Sequence, residues 1–136
     1  MKDIIFNRSP RFPENKYRSK VLFCSHPDDA KLRDEIEKDI TSAFECDIWY
    51  HDEPTEEYNE ENYLHDLYSM HLIVVPVTTK LLTKPSFAME KILPYALQGE
   101  KHIAVLPLMQ ENGLEDVYAK SIFDDLQFLN KFDTDP

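Results

Sequence analysis

Glu90 is the one acid in the first two turns of a helix-like segment, Ser86-Phe87-Ala88-Met89-Glu90-Lys91-Ile92-Leu93. That segment follows an apolar run, Leu72-Ile73-Val74-Val75-Pro76-Val77, and a polar loop from Thr78 to Pro85. A buried strand feeding a helix with an acid in its first turns places one charged group at the lip of a sheet. A carboxylate held there stabilises positive charge that develops in a transition state. Phe87, Leu93 and Leu97 lie at three- and seven-residue offsets from Glu90, and a shared helix face predicts a carboxylate stripped of water. Pro94 cannot donate to the Glu90 carbonyl, so the helix is expected to kink at Glu90 or a second short helix to start with Pro94 at its first position.

Other chemistries fail on residue type. With only two glycines, Gly99 and Gly113, neither a dinucleotide fingerprint nor a Walker loop can be built. The five histidines are scattered, and neither they nor Cys24 and Cys46 have metal-ligand spacing, so no metal site is expected. Asp28-Asp29 after the first apolar strand has the look of a receiver's acidic pocket. A receiver also needs an aspartate at the end of the third strand, where this chain has Pro76-Val77-Thr78.

The elements that would position Glu90 follow from pattern. Lys20 to Ser25, Cys46 to Tyr50, Leu72 to Val77 and Lys101 to Leu108 are short apolar runs of buried-strand type, and Leu126 to Leu129 is a fifth strand. Leu32, Ile36, Ile40, Ala43 and Phe44 recur at helical spacing behind Pro27, Asp28 and Asp29, which suit a helix N-terminus. Tyr63 to Tyr68 reads as a short helix, Leu114 to Ile122 as a weaker one, and Gly99 as a helix stop. Strands alternating with helices predict a three-layer α/β domain with a five-stranded parallel sheet over residues 20–136. Residues 1–19, proline-broken and basic, read as a leader or linker in which Asp3-Ile4-Ile5-Phe6 could pair at a sheet edge.

The chain has 26 Asp and Glu against 15 Lys and Arg, a net charge of −11. That balance argues against nucleic acid and against an anionic membrane surface. The two cysteines read as buried and reduced, and the chain as cytoplasmic. The acidic, turn-rich stretch from His51 to Asn62 reads as a solvated loop, and Trp49 as core.

In this order, several motifs are similar to those of a TIR (Toll/interleukin-1 receptor) domain of the bacterial type. Phe23-Cys24-Ser25-His26-Pro27-Asp28-Asp29 resembles the family's first strand and its Ser-His-x-Asp turn. Asp47-Ile48-Trp49-Tyr50-His51-Asp52 resembles the second strand, Leu72 to Thr78 the third, and Ile103 to Leu108 the proline-bearing fourth. Three features depart from the pattern. Residues 51–63 contain no glycine, Ser86 stands where an aromatic often precedes the glutamate by four residues, and the last helix has no counterpart.

The resemblance implies a flavodoxin-like fold and cleavage of the nicotinamide–ribose bond of NAD⁺, a substrate rather than a cofactor, by Glu90. It implies the effector part of a longer signalling or defence protein, active when a fused or partner sensor clusters like domains. Phe23 and Ser25 would flank nicotinamide and ribose, Ser86 and Phe87 would line the pocket, and Lys80 and Lys84 would meet the phosphates. The glycine-free acidic loop and Ser86 motivate the alternative, a non-catalytic adaptor acting by self-association. A nucleoside-bond enzyme of similar fold, such as a deoxyribosyltransferase, is a third reading.

Overall fold

A computed structural model describes residues 6–9, 18–43, 45–51, 53–54, 57–99, 101–124 and 126–130. The apolar runs form strands β1 (Phe6–Arg8), β2 (Lys20–Phe23), β3 (Asp47–His51), β4 (Leu72–Val77), β5 (Ala104–Met109) and β6 (Leu129–Asn130). Between them lie helices α1 (Ala30–Ala43), α2 (Glu60–Tyr68), α3 (Thr79–Thr83), α4 (Leu93–Gln98) and α5 (Glu115–Ala119). The sheet order is β1-β3-β2-β4-β5-β6. All neighbouring pairs are parallel except β1 with β3.

The expected five parallel strands are therefore present, and a sixth, antiparallel strand lies at the edge. It comes from the stretch read as a leader. Phe6 is buried and its ring lies 5.7 Å from that of Tyr63. The Arg8 guanidinium lies 3.0 Å from Asp47, an acid only 4% exposed. Arg18 also reaches Asp47 at 3.8 Å. A buried carboxylate needs such partners, and two basic residues of the leader supply them. Met1 to Ile5, Pro10 to Tyr17 and the last six residues lie outside the described residues, so edge pairing by Asp3, Ile4 and Ile5 does too.

Both faces of the sheet are covered, which is why its strands read as continuous apolar runs. Leu22, Ile73, Val75 and Val77 pack with Tyr63 and Leu67 of α2, Leu81 of α3 and Ala96 of α4. Val21, Phe23, Ile48 and Val74 point the other way and pack against Leu32, Ile36 and Ile40 of α1. Each fully buried aliphatic side chain contributes roughly 1.5–3 kcal/mol before entropic costs. On the β5–β6 side the covering is thinner, and Leu129 is 58% exposed.

Caps decide where the helices begin. A 3-10 turn, Pro27–Asp29, precedes α1 and is capped by the His26 ring, whose Nδ1 accepts the Asp28 N–H at 3.1 Å. Asn59 caps α2 by accepting the Asn62 N–H at 3.0 Å, so that helix starts at Glu60, three residues before the first residue expected. No helix among the described residues is long and apolar enough to cross a membrane.

Candidate functional site

Parallel α/β sheets offer sites where the strand order reverses, outside the strands' carboxyl ends. Here that point lies between β2 and β4, and side chains bridge it. The Thr78 hydroxyl, just past β4, donates to the Asp29 carboxylate at 2.6 Å and accepts the Leu81 N–H at 3.2 Å. Thr78 is 3% exposed. Beside it Glu111 accepts both the Thr79 N–H and the Thr79 hydroxyl, at 3.0 and 2.6 Å.

The open space lies to one side, toward β3. A cleft of about 230 Å³ is lined by Glu53, Pro54, Pro85, Ser86, Phe87 and Glu90. One wall comes from the loop after β3, the other from a π-helical turn, Ala88–Ile92, that leads into α4. Within this turn the Leu93 N–H reaches the Ala88 carbonyl, five residues back. Proline has no N–H to give the carbonyl four residues back, so a widened register at Glu90 is the expected response to Pro94. Of the two sequence alternatives the restart is the one seen, one residue early: α4 begins at Leu93, with Pro94 second.

Glu53 ties the two walls together. Both its carboxylate oxygens accept the Phe87 N–H, at 3.2 and 3.0 Å. Ser86 Oγ accepts the Met89 N–H at 3.3 Å. The Phe87 ring lies 6.1 Å from His51, 5.6 Å from Tyr58 and 5.3 Å from Tyr63. His51 Nε2 accepts the Ser25 N–H at 3.3 Å, linking the ends of β2 and β3. Burial pushes the Cys24 thiol well above its usual pKa, and the negative charge of Glu53 raises it further. Two carboxylates, Glu53 and Glu90, thus line one small cleft together with Phe87.

The structure sorts the sequence candidates. Ser86, Phe87 and Glu90 line the cleft together. Ser25 is buried and does not line it; its backbone N–H is held by His51. Phe23 does not contribute: it is fully buried on the α1 side, 6.0 Å ring to ring from Tyr50. A side chain in register with Val21 belongs to the face opposite Glu90, and Phe23 obeys that alternation. Lys80 and Lys84 are exposed and neither lines the cleft. The expectation of a dry Glu90 carboxylate is also corrected. Ala88, Ile92 and Leu93 face the core while Glu90 and Lys91 are exposed. A regular α-helix puts three-residue neighbours on one face, and the added residue of a π-turn removes that coincidence.

Sequence reading missed Glu53, His51, Tyr58 and Tyr63. Glu53 was absorbed in an acidic run read as solvated loop, and only its position next to Pro54 marks it out. Asp52 and Glu56 of that run lie outside the described residues. A larger hollow, about 350 Å³ beside Tyr118, Leu126 and Phe128, holds none of the sequence candidates. Among the described residues no group of three or more His, Cys, Asp or Glu could hold a metal ion. Compared with known proteins, the chain matches no family model, no curated protein and no solved structure at a significant level.

Proposed function

We propose that this is a flavodoxin-like domain of TIR type that cleaves the nicotinamide–ribose bond of NAD⁺, with Glu90 as the catalytic carboxylate. The observation that carries the reading is the position of Glu90. It lines a cleft at the carboxyl edge of the sheet, on the turn that follows β4 and α3. The parallel strands, counted from β2, run in the order 2-1-3-4-5, which is the flavodoxin-like order.

The chemistry asks little of the protein beyond a placed charge. The C1′–N bond breaks with its electron pair leaving on the nicotinamide nitrogen, which becomes neutral, and the ribose becomes an oxocarbenium-like cation. Glu90 stabilises that cation more than the ground state, because the positive charge moves from the pyridinium ring toward C1′. Water then adds to C1′ and loses a proton. At about 230 Å³ the cleft falls below the ~300–1,000 Å³ of sites that bury a drug-sized ligand. It suits the nicotinamide riboside end, with adenosine and the phosphates outside. Because Glu90 is exposed in the free chain, the substrate itself must exclude water from the carboxylate on binding.

Concentrated protein should release nicotinamide from NAD⁺, and Glu90→Ala should lose that release while keeping the wild-type circular dichroism spectrum. Equal turnover by the two would sink the assignment. The adaptor reading is favoured by one observation, the Glu53 carboxylate standing in the cleft where a diphosphate-bearing substrate must approach. It predicts no NAD⁺ consumption, and self-association that weakens on charge reversal at Glu56, Glu57, Glu60 and Glu61.

A further inference from the structure

The π-turn that carries Glu90 is held from outside the helix at both ends. At its start the Phe87 N–H is taken by Glu53. Near its end the Lys91 carbonyl accepts a hydrogen bond from the Tyr63 hydroxyl of α2. Tyr63 is 1% exposed, and its ring is packed by Phe6, Tyr58 and Phe87. Burial raises its pKa far above the ordinary tyrosine value, with Cys24 and three neighbouring tyrosines adding to the shift, so the hydroxyl stays a donor at any working pH. Between the two attachments Glu90 is exposed and lines the cleft.

We propose that Tyr63 is a positioning residue for Glu90: its hydroxyl fixes the Lys91 carbonyl, and with it the π register that directs the Glu90 carboxylate into the cleft. This rests on the reading of Glu90 as the catalytic carboxylate. Pro94 alone only forbids the α-helical bond to Glu90, and leaves open whether the segment widens, frays or kinks. An acceptor bond from a buried, ring-packed donor selects one of these outcomes. Without the hydroxyl, the Lys91 carbonyl loses this hydrogen bond, and a phenyl ring offers no donor in its place. The turn then moves to find another donor, and Glu90 moves with it. Displacing a reacting group by about 1 Å can lower a rate by roughly 10²-fold.

The test uses Tyr63→Phe, which keeps the ring and removes only the hydroxyl, and Pro94→Ala, which supplies the missing N–H and permits an α register. Each is made in the full chain and measured for nicotinamide release, with the ¹³C resonance of the Lys91 carbonyl followed by NMR. Tyr63→Phe is expected to lower kcat by about 10- to 100-fold with KM within about twofold, and to shift the Lys91 carbonyl resonance. Pro94→Ala is expected to lower kcat as well, with Tyr63 intact. A shifted carbonyl resonance with undiminished kcat in either variant would overturn the proposal. If Tyr63→Phe does not fold, 3-fluorotyrosine placed at position 63, which keeps the ring and changes the hydroxyl's donor strength, takes its place, and a shifted Lys91 carbonyl resonance with unchanged kcat overturns the proposal. Wild type that releases nicotinamide no faster than Glu90→Ala overturns the catalytic reading and this one together. Release that depends on Glu90 but not on Tyr63 or Pro94 overturns this one only.

Discussion

Replacing Thr78 with valine tests whether the closed point between β2 and β4 is a structural lock. The side chain is 3% exposed and carries two bonds. It caps α3 through the Leu81 N–H at 3.2 Å, and it donates to the Asp29 carboxylate at 2.6 Å. Removing a threonine N-cap costs about 0.5–2 kcal/mol. A hydrogen bond to a charged group is worth about 1.5–3 kcal/mol, and because Asp29 is only half-buried water recovers part of it, which favours the lower end. Valine matches threonine in volume and branching, so packing adds little. The expected loss is about 2–3 kcal/mol, read from urea unfolding by linear extrapolation with the slope unchanged. Thr78→Ser keeps the hydroxyl and should lose about 1 kcal/mol or less. Paired with Asp29→Ala in a double-mutant cycle, Thr78→Val should show a coupling of about 1 kcal/mol. A Thr78→Val protein within about 0.5 kcal/mol of wild type, or additive energies in the cycle, would refute the claim that this hydroxyl joins the turn before α1 to α3.

Alkaline pH should weaken the fold. The Cys24 thiol and the Tyr50, Tyr63 and Tyr118 hydroxyls all have raised pKa values, chiefly from burial, that of Tyr118 to about 12. A raised folded-state pKa gives stability that is complete below the unfolded-state value and is lost as pH rises toward the folded one. Urea midpoints should therefore hold near neutrality and fall above about pH 8.5 for the thiol and about pH 10 for the tyrosines; a midpoint flat up to pH 10.5 would contradict these shifts. Gly99→Ala should destabilise by about 1–3 kcal/mol, because a Cβ there would strike the Tyr95 carbonyl and the Tyr68 hydroxyl. A thermal melt settles that, and an unchanged midpoint would show that α4 can shift to make room.

The strands were legible because both faces of the sheet are buried. Leu22 and Ile73 serve one face and Phe23 and Val74 the other, so each strand is an unbroken apolar run that pattern alone detects. The edge strand was harder to read. Phe6–Arg8 is three residues long, and what holds it is the pairing of Arg8 with an aspartate 39 positions away. Helix starts were legible unevenly. Pro27, expected in the first helical position, opens the first turn even though a histidine ring caps it, whereas the start of α2 lay hidden in the acidic run behind an ordinary Asn59 cap. Glu90 was legible as a residue and not as an environment: helical periodicity assumed 3.6 residues per turn, and Pro94 changed the register beneath it.

Glu53 shows why an acidic run hides its useful member. In a sequence, Glu53, Glu57, Glu60 and Glu61 are equivalent charges, and solvation is the sensible default for all of them. The fold separates them. Glu57 and Glu61 are exposed, while Glu60 accepts the Tyr95 hydroxyl at 3.0 Å and Glu53 binds a backbone N–H at the cleft. Glu53 also places a second negative charge beside Glu90, which favours a cationic centre between them and opposes phosphates. A substrate that combines a pyridinium ring with a diphosphate meets both effects at once. Under the proposed function only the cationic end of such a substrate is matched to this cleft, and that end holds the bond proposed to break.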